Sequence, residues 1–427
     1  MTVYLFIFLL ILAALLGAPL FTVIIVAAML GFSTLGIDLI AIPIEIYRIA
    51  DTPILLALPL FAVAGYILGE SRTSSRLVRL TRAFLGWMPA SLCIISFIIC
   101  ALFTAFTGAS GVTIIALGAL LFPALTQSGY PENFSLGLVT TSGSLGLLLP
   151  PSLPLILYGI IAQQMGSGPD VTFEDLFLAG LFPAMLMIII LSVYSILANR
   201  SVMIQRTAFS MKEALSAVRE SIWELPLPFF VLGGIYSGVF AVSEAAAVTA
   251  LYALVVEVLI YREIPLAHLP RILRDAMIMV GGILVILGVS LAFTNYLIDM
   301  EAPMKLFRLC QTVVTSKLVF LVLLNLFLLI LGAILDIFSA IIIMVPLILP
   351  VAVSYGVHPV HLGIIFLANM QIGYCTPPVG VNLFIASYRF STPITTIYRA
   401  ALPFIAVLFA AVLVITYWPW LTMVLLG

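Results

Sequence analysis

Two short backbone breaks of the same form, 227 residues apart, constrain this chain more than any other feature. One reads Gly146-x-x-x-Pro150-Pro151 and the other Gly373-x-x-x-Pro377-Pro378. Each interrupts an apolar run long enough to cross a bilayer. Proline lacks an N–H and disfavours helix in the residue before it, so several carbonyls around each break lose their helical partners. At membrane depth such carbonyls must be met by protein, water or a bound ion. Structural kinks are the plain reading of one break; two at matching places point to a transport site.

Composition sets the surroundings. The chain is 64% hydrophobic and 8% charged, whereas soluble domains carry about a quarter charged residues. Apolar runs near the ~20 residues of a spanning helix recur from Tyr4 onward. They are continuous rather than alternating, which excludes a transmembrane β-barrel and predicts an all-α polytopic protein in a lipid bilayer. The opening MTVYLFIF has no basic segment and its apolar stretch continues to about Gly36, so a cleaved signal peptide is not expected. A net charge of −1 gives no sign of nucleic-acid binding. Cys93, Cys100, Cys310 and Cys375 sit in apolar context without metal-ligand spacing and read as buried thiols. No catalytic motif or phosphate-binding loop stands out, so no enzyme activity is expected; energy should come from an ion gradient or a separate subunit.

Charge orients the runs. Of the 17 Lys and Arg residues, eleven fall in three stretches: Arg72, Arg76, Arg79 and Arg82; Arg200, Arg206, Lys212 and Arg219; Arg262, Arg271 and Arg274. The positive-inside rule places all three in the cytoplasm. The stretch 166–175 carries only Asp170, Glu174 and Asp175 and belongs outside. Trp87, Trp223, Trp418 and Trp420 lie near run ends, as interface anchors do. The path then runs through a pair at 3–17 and 20–36, an amphipathic stretch at 38–52, and a crossing at 53–69. A block at 88–126 follows, read either as two spans or as a re-entrant hairpin. A broken run at 133–165 and a return at 176–198 complete the half. The second half repeats the order: 224–241 and 243–260, amphipathic 263–275, a crossing at 276–297, a hairpin-like block at 318–353, a broken run at 360–388, and 400–426.

The expected organisation is therefore a first repeat over 1–200, a connector at 201–222 and a second repeat over 223–427. An odd number of crossings in each half makes the repeats inverted, with both termini outside. At the offset of 227, Pro123 meets Pro350, Gly129 meets Gly356, Gly146 meets Gly373, and Pro150 and Pro151 meet Pro377 and Pro378.

Several residues could carry chemistry near the breaks. Carbonyl and hydroxyl oxygens suit a small dehydrated cation. Thr376 adds a hydroxyl to the second break, and Ser144 and Ser152 flank the first. Asp336, within an apolar block, serves as a helix cap, as a site organiser, or as both. Glu244 reads chiefly as a cap for an Ala-rich helix. Asn369 and Asn382 offer hydrogen bonds near the second break, either to the site or between helices. His268, His358 and His361 lie at run edges, and Lys317 reads as a snorkelling side chain.

Taken together, these motifs resemble the large membrane subunit of the tripartite ATP-independent periplasmic (TRAP) transporters. The likeness rests on Gly146–Ser152 with Tyr158-Gly159, on Gly373–Gly380 with Asn382-Leu383-Phe384, on Gly332 with Asp336, on Pro346 with Pro350, and on Tyr236–Phe240 leading to Glu244–Ala247. It implies a sodium-driven importer of a small organic acid in the bacterial inner membrane, working as an elevator. The implied partners are a small four-helix membrane subunit and a periplasmic substrate-binding protein. Carried over by motif, one sodium site would use Thr107, Gly108 and Ser110 with Gly146, Leu149 and Pro151. The other would use Gly332 with Gly373, Thr376 and Val379. Ser144, Pro150, Ser152, Asp336, Pro377, Pro378, Gly380 and Asn382 would line or organise the substrate path. Two stretches depart from the family pattern: Thr107-Gly108-Ala109-Ser110 in the first hairpin and Phe240-Ala241-Val242-Ser243-Glu244 in the helix-pair turn. A stand-alone sodium- or proton-coupled carboxylate symporter of similar fold is the competing expectation.

Overall fold

The computed structural model describes residues 8–10, 12, 13, 16–48, 52–88, 90–200, 209–314 and 316–426, with the side chains at 309, 310, 312 and 313 excepted. Most of the 3–17 run, part of the 201–222 connector, Arg206 and the Cys310 side chain lie outside the described residues. Those described form helices and turns, with no strand among them. Among the described residues seven helices are long and apolar enough to cross a membrane, or up to nine spans if each of two bent pairs counts as one.

The first half opens with α1 (Leu20–Leu35), which stops at Gly36 in the left-handed region, where glycine costs least. Then come α2 (Ala41–Arg48), α3 (Ala57–Glu70) and the amphipathic α4 (Thr73–Leu85). The block at 88–126 is a hairpin: α5 (Ser91–Thr107) turns at Gly108 into α6 (Ser110–Ala116) and α7 (Gly118–Gln127), bent by 50° from each other. The broken run comprises α8 (Glu132–Ser142), a 3₁₀ turn at Leu145–Leu148, and α9 (Leu153–Met165). Helix α10 (Phe173–Ala198) closes the half. Thr172 caps it by accepting from the Asp175 N–H, and Glu174 and Asp175 in its first turn complement the helix dipole.

The second half contains α11 (Met211–Glu220), α12 (Pro226–Tyr236) and α13 (Val242–Leu254), which runs on as a π-helical turn at Val255–Ile260. Next are α14 (Leu269–Asp299), the amphipathic α15 (Ala302–Val313), and a second hairpin of α16 (Lys317–Ile334) and α17 (Ile337–Ser354). Helices α18 (Pro359–Gly373) and α19 (Val381–Phe390) flank the second break, and α20 (Ile394–Tyr417) and α21 (Trp420–Met423) finish the chain.

Two elements differ from the sequence expectation. The stretches 263–275 and 276–297 are not separate: the single helix α14 takes in 269–275 and all of 276–297. In the first half Pro53 opens a 3₁₀ turn between α2 and α3, whereas no proline lies between Pro270 and Pro303 to part the equivalent run. The basic stretch 72–82 is an amphipathic helix, not a loop, and α15 occupies the equivalent place in the other half. At the offset of 227 residues α4 lands on α15, α5 on α16, and α6 with α7 on α17. Ser144 and Gln371 share that spacing and touch each other, the Ser144 hydroxyl donating to the Gln371 carbonyl at 3.2 Å.

Helix α18 is buried along its whole length and forms the centre against which both breaks pack. Tyr158 on α9 donates to the Pro359 carbonyl at 2.6 Å, tying the two broken runs together. His361, expected at a run edge, is buried in this core, with its ring nitrogens 2.8 Å from Thr422 Oγ1 and 3.2 Å from the Thr416 carbonyl. Helix α3 packs on α13, and α14 on α1 and α3, forming a frame that touches the two hairpins through α3 on α5 and α14 on α17.

All three basic stretches meet at one end of the molecule. Arg79 donates to Glu213 at 2.8 Å, Arg271 to Glu70 at 3.1 Å, and the Arg72 N–H to Glu263 at 2.8 Å. Residues assigned to one compartment by charge are thus neighbours in space.

Candidate functional site

At the first break the hairpin arm and the broken run meet backbone to backbone. A Cβ on Gly146 would lie 2.1 Å from the Ala101 carbonyl oxygen and 2.5 Å from the Ala105 nitrogen. Thr104 on the same arm donates to the Gly143 carbonyl at 2.7 Å. Its oxygen is 2.6 Å from the Thr113 hydroxyl, which must then be the donor of that pair. Gly108 has φ of +65° and sits against Leu153, whose Cδ1 would be 2.5 Å from a Cβ there. Ser152 accepts from the Leu155 N–H and donates to the Leu147 carbonyl at 2.5 Å, ordering the start of α9.

The second break repeats the close approach. Gly373 and Gly332 face each other so tightly that a Cβ on Gly373 would lie 2.5 Å from the Gly332 Cα. The Gly380 N–H donates to the Ala333 carbonyl at 3.1 Å, joining the far side of the break to the hairpin tip. Asp336 Oδ2 accepts from the Ser339 N–H at 2.9 Å. The neighbouring Ile337 N–H donates to the Tyr374 hydroxyl at 2.5 Å. Thr376 donates its hydroxyl to the Ile372 carbonyl at 2.9 Å, so its oxygen keeps its capacity as an acceptor.

The Pro150–Pro151 and Pro377–Pro378 peptide bonds are both cis. Among the described residues, no hydrogen bond ends on the carbonyls of Leu149, Pro150 or Pro151, nor on those of Thr376, Pro377 or Val379. The Pro378 carbonyl accepts from Tyr398 at 2.7 Å. Each break therefore offers a short run of acceptors with no donor, the chemistry that a dehydrated cation requires. The breaks differ in exposure: 150–153 is buried, whereas Pro377, Pro378 and Val379 are exposed.

A chain of polar contacts joins the halves. Ser110, at the first hairpin tip, donates to Asn382 Oδ1 at 2.7 Å. Asn382 Nδ2 lies 3.7 Å from Cys375 Sγ, and that sulfur lies 3.7 Å from the Thr140 carbonyl. The Ser110 side chain thus reaches across to α19 of the other half, while its backbone oxygen stays beside Gly143. Thr107 is buried at the same tip, with only a long 3.5 Å contact to the Ala109 carbonyl.

Of the residues singled out from sequence, Gly332 with Gly373 and Ser110 with Asn382 are in direct contact. Gly146 instead packs on the hairpin arm, one turn from the tip that holds Thr107 and Gly108. Glu244 caps α13 by accepting from the Ala241 N–H at 2.9 Å. Asn369 donates to Asn325 at 2.6 Å, an interhelical contact. Lys317 donates to the Gly356 carbonyl, and Cys93, Cys100 and Cys375 are buried free thiols. Sequence reasoning passed over Tyr374, Thr104 and Thr113. The position of Tyr374 immediately after Gly373 was a usable signal; the Thr104–Thr113 pairing across a hairpin was not.

Asp336→Ala removes the cap of α17 and should destabilise the protein by about 1 kcal/mol, whereas Asp336→Asn should cost only a few tenths. Thermal melting of the two purified variants checks this; equal losses would separate Asp336 from capping.

The family model described as "Tripartite ATP-independent periplasmic transporter, DctM component" matches residues 3–421. Among curated relatives, the C4-dicarboxylate TRAP transporter large permease protein DctM of Pseudomonas aeruginosa is 32% identical over 380 residues, covering 89% of this chain and 87% of that protein. The isethionate TRAP transporter permease protein DctMQ of Oleidesulfovibrio alaskensis is 33% identical over 403 residues, 94% of this chain and 62% of that protein. The ectoine/5-hydroxyectoine TRAP transporter large permease protein UehC of Ruegeria pomeroyi is 28% identical over 409 residues, with 95% and 94% coverage. The crystal structure of the Alcanivorax borkumensis YdaH transporter has a similar fold, with a TM-score of 0.62 at 13% identity over 86% of this chain and 84% of that one.

Proposed function

This chain belongs to the DctM component family of the tripartite ATP-independent periplasmic transporters, and from that premise we propose that it is the permease subunit of a sodium-coupled importer. Its substrate is a small organic acid, the class suggested by relatives named for C4-dicarboxylates and isethionate. A periplasmic binding protein delivers that acid, and a small membrane subunit completes the complex in the bacterial inner membrane. Both termini face the periplasm and the Arg-rich end faces the cytoplasm.

One observation supports the coupling: two breaks, each pressed by a glycine onto a hairpin arm, each with carbonyls that no donor meets among the described residues. We assign one sodium ion to each. Thr107, Gly108 and Ser110 with Gly146, Leu149 and Pro151 serve the first, and Gly332, Gly373, Thr376 and Val379 the second. The acid passes between them, along Ser144, Ser152, Asn382 and the proline pairs. The hairpins and broken helices, with α10 and α20, move as one body against the α1–α3–α13–α14 frame, and α4 and α15 are the connecting arms.

Reconstitution in liposomes tests the assignment. Sodium-driven uptake should need the binding protein and the small subunit together. Uptake by this chain alone would favour a stand-alone symporter.

A further inference from the structure

A buried ionic cluster lies away from both breaks, where the arm α4 meets the frame. Arg76 donates through Nε to Glu224 Oε1 at 2.8 Å, through Nη2 to Glu224 Oε1 at 2.5 Å and to Glu257 Oε2 at 3.2 Å, and through Nη1 to Glu263. Its guanidinium lies 4.1 Å from the centroid of the Tyr261 ring. Thr73 Oγ1 is 2.7 Å from Glu224 Oε1 and 3.1 Å from Glu257 Oε1. The side chains of Arg76, Glu224, Glu257 and Glu263 are 5%, 4%, 0% and 17% exposed.

The charges do not balance. One guanidinium faces three carboxylates, and the nearby Arg72 and Arg262 side chains point to solvent; Arg72 contributes only its backbone N–H, to Glu263. Glu263 is 17% exposed and keeps contact with water. The deeply buried pair Glu224 and Glu257 carries one negative charge more than Arg76 offsets, and that charge requires a counter-charge or a proton. A second feature points the same way: Glu224 Oε2 is buried and has no hydrogen-bond partner among the described residues. A carboxylate oxygen so placed is an acceptor without a donor, and the Thr73 hydroxyl has one hydrogen for two carboxylates.

We propose that this cluster is a proton-binding site, in which Glu224 and Glu257 share one acid hydrogen while the arm is docked on the frame. The proton comes from and returns to the cytoplasmic water. Its loss leaves the arm joint with an extra buried negative charge and loosens it, so arm mobility is pH-dependent independently of the ions at the breaks.

Infrared spectroscopy of the complete transporter in lipid at neutral pH tests this through the C=O band of protonated carboxyls. The wild type should show the band. Glu224→Gln or Glu257→Gln should each remove the contribution of that one shared proton, because the glutamate left behind is offset by Arg76, and Glu263→Gln should keep it. An undiminished band in both of the first two variants would overturn the proposal. So would failure of both to fold, because glutamine is the neutral isostere such a site accepts. Bleaching of the band by added sodium at constant pH would also overturn it, by making the cluster a metal site.

Discussion

Gly146→Ala and Gly373→Ala abolish uptake and lower the unfolding midpoint, each by the equivalent of about 1–3 kcal/mol, the usual cost of overpacking a tight contact. The reason is backbone geometry. The added Cβ of the first meets the Ala101 oxygen at 2.1 Å and that of the second meets the Gly332 Cα at 2.5 Å. Neither neighbour is the end of a flexible side chain, so relief requires the hairpin arm to move away from the break. That displacement spreads the carbonyls on which the proposed ion sites depend. Gly281→Ala is the control: a Cβ there meets no atom within 4 Å, and in mid-helix alanine should be neutral or stabilising by up to ~1 kcal/mol. Thermal melts and uptake assays on the three variants check the ranking. Equal behaviour of all three would contradict the close-contact account.

Arg76→Met should be at least as damaging, at about 3–5 kcal/mol, the cost of removing one partner from a buried ion cluster. Methionine fills much of the arginine stem's space, so packing loss is limited; what remains is three carboxylates without their common donor. Pairing it with Glu224→Gln should recover part of the loss, because the two residues share hydrogen bonds at 2.5 and 2.8 Å and their effects should not add. Denaturation of the single and double variants in one detergent gives the coupling. Strict additivity would place Arg76 outside the cluster's energetics.

What sequence could reveal follows from which signals are local. Proline pairs in apolar runs announce broken helices because the lost N–H is a property of the residue itself. A Ser-Glu start to an Ala-rich helix and an Asp within an apolar block announce caps for the same reason, as Glu244 and Asp336 bear out. The Arg76 cluster was not legible: its members span positions 76 to 263, and the arginines read only as a charge signal for topology. The Ser110–Asn382 contact was equally hidden. The hairpin tip reads as a partner of its own half's break, whereas the side chain bonds to a residue 272 positions away. The division of 263–297 failed because amphipathicity changes along a helix without ending it when no proline or cap intervenes.

The central claim is that the paired breaks hold the ions that drive transport. The direct measurement is the initial rate of substrate uptake against external sodium, in liposomes holding the complete transporter and binding protein, for wild type and Thr376→Ala. Uptake should rise more steeply than first order in the wild type, as two coupled ions require, and the variant should need more sodium and lose steepness. Wild-type uptake at the same rate with sodium replaced by potassium would contradict the account.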